Sequence, residues 1–451
     1  MAFVFRQGTF TLLKVKLNLR VSFLTKHGLH ICKDDLQNTS FRNNLKNYIT
    51  DHKYSLTAVR IYGNHDLEEV VSETFSESTF WRFGLYRIKE NVNSECTKEP
   101  VKHLGTRSST IFARGYNAVE RFLQTKGKLE NSHEDAALRA LKKFYVNKEE
   151  HEKSWVKLKD VSSEGQVTAV ITQHLLSQLL PFPSSYFLDN IHSKSLMDKC
   201  PCGCEQPLNF GSTLLGSPHL FHGFVDGVLI PTNRDHFTEE NYTKSAVFTA
   251  RKKNDDIYYH RLMNKERMDE SEENVIDGDE EIPNGEYKSE INVIDEKQLC
   301  KQAIAIALCK YQEHSDIKDR SDVPIVPVFG ITSDSFEVAV HDPVHDYLLK
   351  SNKPINLFEE DSQNLKFSSV VDLWLLINHS MFLTTPSPHV VQRLSGTANL
   401  IPQLGEKRFE NIVKSSRWMF LPYLHHQSFP EIPEDAIKYV DKKENALGDK
   451  H

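Results

Sequence analysis

Residues 303–309, Ala-Ile-Ala-Ile-Ala-Leu-Cys, offer water no polar face. A helix that is apolar all round must be covered on every side, so this segment belongs inside a layered protein. Asp295 and Gln298 form a capping-box-like pair, which predicts a helix over 296–313. Strand-like segments surround it. A helix is expected over 166–180, ended by Pro181 and Pro183. A strand pair over 219–231, a strand over 245–250 and a strand over 286–294 follow. After the buried helix come a continuous apolar run at 323–331, a turn at 332–335 and a returning strand at 335–341. A last helix over 368–382 carries Leu373, Trp374, Leu376 and Ile377. This order defines an α/β class, α+β over the whole chain.

The first 150 residues read as a separate α+β unit. From Leu13 to Phe23 apolar and polar residues alternate, the mark of a half-buried strand with Lys14, Lys16 and Arg20 on its wet face. Asp34 is placed to cap a helix reaching about Ile49, and strands are expected over 57–62 and 80–88. Helices follow over 114–125 and 133–145, and a charged connecting stretch over 147–160 separates them from the next domain. That domain is expected to span 160–385, with a C-terminal extension over 386–451 whose polar end has little to order it. Inside the second domain, residues 264–285 are acidic and poor in large apolar groups, so a disordered insertion is expected there.

Composition narrows the setting. The chain has 451 residues, 39% hydrophobic and 26% charged, which suits two or three ordinary globular domains. No apolar run approaches the ~18 residues of a membrane helix, so no membrane role is expected. The N-terminus is broken by Arg6, Lys14 and Lys16 and lacks a signal-peptide apolar region. The seven cysteines are an odd number, which points to reduced thiols in the cytoplasm or nucleus and makes the sequons at Asn38, Asn241 and Asn378 chance matches. The net charge of −7 gives no global attraction to nucleic acid. Charge is uneven, however. Residues 1–60 hold ten Lys/Arg against three Asp/Glu, and residues 254–297 hold five against fifteen. The basic end suits remote phosphate contacts through Lys14, Lys16 and Arg20, or equally a solvated face.

Three stretches bring a known family into view. HLFHGFVDGVLIP places Asp226 after an apolar strand, GEYKSEINVID holds Glu286-x-Lys288 before the buried helix, and DVPIVPVFGITSDSFEVAVHDPVHDYLL forms a strand hairpin. Together with the later Trp-containing helix VVDLWLLINH, residues 160–385 resemble the PD-(D/E)XK, restriction-endonuclease-like nucleases, including invertebrate members with a similar hairpin and helix. The resemblance implies an αβββαβ core and a Mg²⁺-dependent phosphodiesterase acting on DNA or RNA. It implies that Asp226 and Glu286 bind the metal, that Glu290 assists, that Lys288 stabilises transition-state charge and that Gln302 supports the site. Carboxylate-held Mg²⁺ offsets the phosphodiester charge and generates hydroxide, which is why the chemistry wants these residue types together. If 286–294 is a strand, Glu286, Lys288, Glu290 and Asn292 share one face. Two alternatives stand beside this register. Glu290-x-Asn292 lies closer to the helix, and SAVFTARK, with Thr249 and Arg251, is the strand that follows Asp226 soonest. If SAVFTARK is the family's catalytic strand, the site is degenerate and the protein is a binding or assembly module.

Cys200, Cys202 and Cys204 stand at alternate positions, a spacing at which thiolates bind zinc. A fourth ligand would come from elsewhere, with His192, His219 and His222 as candidates. A zinc-stabilised interaction protein is therefore a third reading. His341-Asp342 and His345-Asp346 look like metal dyads, but Asp342-Pro343 is a turn signal and assigns them to a turn. Trp81, Trp155, Trp374 and Trp418 are scattered as core residues are.

Overall fold

The computed structural model describes residues 39–51, 53–63, 72–77, 80–86, 104–125, 129–156, 164–182, 185–189, 199–230, 246–251, 290–314, 325–359 and 364–422. The expected strand over 13–23, the acidic insertion over 264–285, Glu286, Lys288, His192 and the tail beyond 430 lie outside these residues.

The described fold is a mixed α/β arrangement around one mixed sheet. Its strands are β1 (Ser55–Tyr62), β2 (Glu73–Thr74), β3 (Arg82–Leu85), β4 (Gly105–Arg107), β5 (Tyr186–Asp189), β6 (Phe210–Gly216), β7 (Phe221–Phe224), β8 (Gly227–Leu229), β9 (Ala246–Arg251), β10 (Val326–Thr332), β11 (Ser335–Asp342), β12 (Tyr347–Ser351), β13 (Ile355–Asn356) and β14 (Arg417–Pro422). The order across the sheet is β2-β7-β6-β5-β8-β9-β10-β11-β12-β1-β3, with β13 on β11, β14 on β6 and β4 on β1. Strands from the first 150 residues and from 160–385 thus share one sheet, joined where β1 pairs antiparallel with β12 and where β2 pairs parallel with β7.

The helices are α1 (Thr39–Asp51), α2 (Ser108–Ile111), α3 (Ala113–Gln124), α4 (Ser132–Val146), α5 (Lys148–Val156), α6 (Glu164–Ile171), α7 (Glu290–Glu313), α8 (Phe367–Ile377), α9 (His379–Phe382), α10 (Pro388–Leu394), α11 (Leu400–Leu404) and α12 (Glu406–Ser415). None of the described helices is long and apolar enough to cross a membrane.

Strand alternation explains how these helices divide. Along β9, Ala246, Phe248 and Ala250 enter one core while Val247 enters the other. Along β10, Phe329 and Ile331 enter the first and Val326 and Val328 the second. A sheet buried on both faces reads as a continuous apolar run, and Val326–Thr332 does so. The first face lies under Phe41 and Leu45 of α1, Val119 of α3, Leu141 of α4, Val170 of α6 and Trp374 of α8. The second lies under α7, with Leu400 of α11 and Ile412 of α12 beside it. The apolar middle of α7 is buried throughout, as its composition requires.

Pro327 is accommodated because β10 meets β9 only from Val328 onward. A proline cannot donate to a ladder, so it belongs where the ladder has not begun.

Two expectations are corrected. Residues 290–294 are helical rather than part of the predicted strand over 286–294, whose first four residues lie outside the described residues. Ile291 and Val293 alternate over too few residues to separate a strand from a buried helix start. Among the described residues the strand before α7 is β9, which pairs antiparallel with β8 and parallel with β10. The charged stretch over 147–160 holds the helix α5. Its Lys148 and Glu152 pair at 3.3 Å, one turn apart, and Trp155 is buried, donating from Nε1 to the Ser333 carbonyl at 2.9 Å. Surface charge at i, i+4 spacing supports a helix, and one buried aromatic anchors it.

Candidate metal centre

β5 and β6 are parallel neighbours, with Leu188 opposite Phe210. A parallel pair requires a crossover connection, usually covered by a helix. Here the residues described in the connection form a tight loop, closed by an antiparallel bridge between Lys199 and Pro207. The Cys200 N–H donates to the Gln206 carbonyl at 2.8 Å, and the Gly203 N–H to the Cys200 carbonyl at 3.3 Å. Gly203 has φ +82°, and a Cβ there would meet nothing, so backbone conformation alone demands glycine. This turn brings Cys200, Cys202 and Cys204 to one side.

The fourth group comes from the helix that α6 begins. After Ile171 the helix widens into one π turn, Thr172–Leu176, and then tightens to Ser177–Leu179. A π turn re-aims the side chains it carries and is common at functional sites. His174 lies on it, buried, with Nε2 3.1 Å from Cys202 Sγ, 3.5 Å from Cys204 Sγ and 3.6 Å from Cys200 Sγ. Cys200 Sγ and Cys202 Sγ are 3.4 Å apart. All four ligating atoms lie within 4.8 Å of one another. A tetrahedral zinc ion with Zn–S near 2.3 Å and Zn–N near 2.0 Å separates its ligands by about 3.5 to 3.8 Å. These four separations stand close to the edge lengths of that tetrahedron, and the remaining two are no longer than 4.8 Å. Among the described residues this is the one group of three or more His, Cys, Asp or Glu so arranged.

Burial pushes the Cys200 and Cys204 thiols up from their ordinary value, favouring their neutral form. A bound dication reverses that preference by taking the thiolates directly. Outside the cluster, the His151 ring lies 6.1 Å from that of His174 and stacks on Phe144 at 5.0 Å. Burial, then the Lys143 charge, lowers His151 to about 4 and keeps it a neutral packing group at neutral pH. The centre can hold a soft or borderline metal such as zinc, and it offers no open carboxylate for Mg²⁺.

The cysteines were visible in the sequence, but their partner was not. His219 is exposed on a turn, and His222 Nδ1 faces Ser72 Oγ at 3.2 Å on β7. Neither belongs to the group. The available signal was a single histidine in the apolar stretch 166–180, which by itself reads as a core residue.

The carboxylate region lies elsewhere. Asp226 sits in the turn between β7 and β8. Its carboxylate accepts the Thr249 hydroxyl and the Ala250 N–H, the latter at 2.9 Å. Gln298 Nε2 donates to Thr249 Oγ1 at 3.4 Å, tying this knot to α7. Asp189, missed by the sequence reading, comes alongside: its N–H donates to the Asp226 carbonyl at 3.1 Å, and its Oδ1 accepts from Thr213 Oγ1 at 3.3 Å. SYFLD was legible as an apolar strand ending in Asp, as Asp226 ends its own run. Gln302, one turn further along α7 than Gln298, is fully buried with no hydrogen-bond partner for its amide among the described residues. The structure therefore joins Asp226 to Thr249 and Gln298. Glu286 and Lys288 lie outside the described residues, and Glu290 opens α7.

Of the two His-Asp dyads, His345-Asp346 falls in the turn after β11 as expected, whereas His341 and Asp342 end that strand, with His341 fully buried. Asp342 Oδ1 accepts the Val344 and His345 N–H groups at 2.8 and 3.1 Å, and Asp342 Oδ2 meets His345 Nδ1 at 2.8 Å. Asp346, at φ +51°, accepts the Leu400 N–H at the start of α11.

No family model, no curated protein and no solved structure matches the chain. The site must be read from its own chemistry.

Proposed function

We propose that this is a zinc-stabilised α/β binding or assembly module, in which Zn²⁺ takes Cys200, Cys202, Cys204 and His174 as a closed structural site. The convergence of four ligating atoms from two chain segments within 4.8 Å carries the reading. Three sulfurs and one imidazole leave no open position for substrate, which is the mark of structural rather than catalytic zinc. The metal joins the described part of the β5–β6 connection to the helix over residues 164–179. Reduced thiols in such a site suit a nuclear or cytoplasmic protein. Elemental analysis of protein purified without added metal tests this. One equivalent of zinc, retained through dialysis and absent from Cys202→Ser, supports it. A chain free of zinc that takes up none on titration defeats it.

A second reading keeps the nuclease resemblance. Asp189 and Asp226 meet at the ends of adjacent strands, which is where a hard cation would need two carboxylates. Under it, Asp226 and Glu286, with Glu290, would bind Mg²⁺, Lys288 would stabilise charge and Gln302 would support them. Two observations favour the non-cutting module instead. The strand beside Asp226 presents Thr249 and carries the sequence Thr249-x-Arg251 rather than Glu-x-Lys, and the Asp226 carboxylate is already engaged by Thr249 and Ala250. Incubation with labelled DNA and RNA in Mg²⁺ or Mn²⁺ separates the readings. Cleavage abolished by Asp226→Ala would establish the enzyme, and its absence leaves the module.

A further inference from the structure

The four groups of the metal centre are not equally covered. Cys200, Cys202 and His174 are buried, whereas Cys204 is partly exposed. One edge of the centre therefore meets solvent, and the atom nearest that edge is a sulfur. Cys300 and Cys309 are buried in α7 and lie outside the group. Among the described cysteines, Cys204 is the one that a small oxidant meets first.

Its neighbours are placed to complete the chemistry. The sulfurs of Cys200 and Cys202 both lie within 4.8 Å of the Cys204 sulfur. A disulfide has its sulfurs about 2.05 Å apart, so a shift of no more than about 3 Å closes one. The loop has the freedom for that shift on one side. Gly203, between Cys202 and Cys204, sits at φ +82° with open space where a Cβ would stand. Between Cys200 and Cys202, in contrast, Pro201 fixes the backbone. Cys202 is therefore the partner that Cys204 reaches with least distortion.

We propose that the centre is a peroxide-operated switch, in which Cys204 and Cys202 are oxidised to a disulfide and the zinc is released, an inference that rests on the zinc reading above. The Cys204 thiolate attacks one peroxide oxygen, the O–O bond breaks and hydroxide leaves, giving a sulfenic acid. The Cys202 thiolate then attacks the Cys204 sulfur, the S–O bond breaks and a second hydroxide leaves as the S–S bond forms. Two protons from solvent convert the hydroxides to water. The two thiolates lose two electrons, the peroxide gains them, and zinc departs as the unchanged dication. Cys200 and His174 remain, two ligands where a closed site needs four. The cysteine loop is then no longer tied by metal to the helix over residues 164–179, which converts a local redox event into a change of surface.

Treating the full zinc-replete chain with excess hydrogen peroxide, in the presence of a colorimetric zinc indicator, tests this. Loss of one zinc per chain is expected, with a mass loss of about two daltons, and a phosphine reductant with added zinc should reverse both. After oxidation, an alkylating reagent should label Cys200 but neither Cys202 nor Cys204. A dione that traps sulfenic acids, added with the peroxide, should mark Cys204. A protein that never takes up zinc ends the zinc reading and the switch with it. Zinc retained in peroxide by a chain already shown to be loaded overturns the switch alone and leaves the zinc reading standing. So does zinc release accompanied by sulfinic or sulfonic acids in place of a disulfide, or by a disulfide between any other pair.

Discussion

His174 Nε2 stands 3.1 Å from Cys202 Sγ, although 28 positions and the whole of β5 separate them in the chain. The relation depends on two local irregularities, the π turn that carries His174 and the left-handed Gly203 that folds the cysteine loop back.

Ligand removal should therefore act on stability. Zinc in small Cys/His sites contributes apparent binding energies of about 10 to 16 kcal/mol, so a zinc ion held here would carry part of the fold's free energy. Cys202→Ser and His174→Ala should each lower the thermal midpoint of the zinc-loaded protein, and a strong chelator should lower the wild type to a similar value. Calorimetry with and without chelator reads this. Chelator-insensitive unfolding of the wild type would contradict a structural metal.

The edge strand β2 gives a second test. Lys301 of α7 donates to Glu73 on β2 and lies with Nζ 5.5 Å from the Phe221 ring centre, and both charged groups are fully buried. Removing one partner strands the other in the core, at about 3 to 5 kcal/mol. Lys301→Met should cost that much in denaturant unfolding, and the double variant Lys301→Met, Glu73→Gln should recover part of it. A single variant as stable as wild type would show that the pair is not closed.

The His345–Asp342 pair gives a pH dependence. The hydrogen bond and charge of Asp342 raise His345 from 6.5 despite partial burial. Burial pushes Asp342 up, but His345 and the backbone N–H groups more than reverse it, so it lies below 3.8. A raised histidine stabilises fully below 6.5 and loses that contribution as pH rises through its folded value. A lowered aspartate stabilises above 3.8 and loses its contribution as pH falls through its folded value. The pair should stabilise most between these limits. Comparing wild type with His345→Gln across pH should show a difference that shrinks above neutrality. A difference that grows with pH would contradict the pairing.

Much of the sheet could be read from alternation and apolar runs. The strands now called β1, β7, β8, β9, β10 and β11 fall where periodicity puts them, and the apolar middle of α7 is buried for the reason its composition gives. The N-terminal end of α7 could not be read, because Ile291 and Val293 satisfy a strand over five residues as well as a helix. At the site, Cys200, Cys202 and Cys204 announce themselves by spacing. His174 does not, because a π turn leaves no local signature and a single histidine among apolar residues looks like core. Asp189 was hidden for a related reason: its partner Asp226 lies in the turn before β8, 37 positions later, and only the β5–β8 pairing reveals them as neighbours.

X-ray absorption at the zinc edge addresses the central claim most directly, since it reads ligand type and distance at the metal itself. The purified protein should show three sulfur scatterers at about 2.3 Å and one nitrogen at about 2.0 Å, the nitrogen contribution being lost or replaced in His174→Ala. A zinc-free protein, or a metal shell dominated by oxygen, would contradict the account.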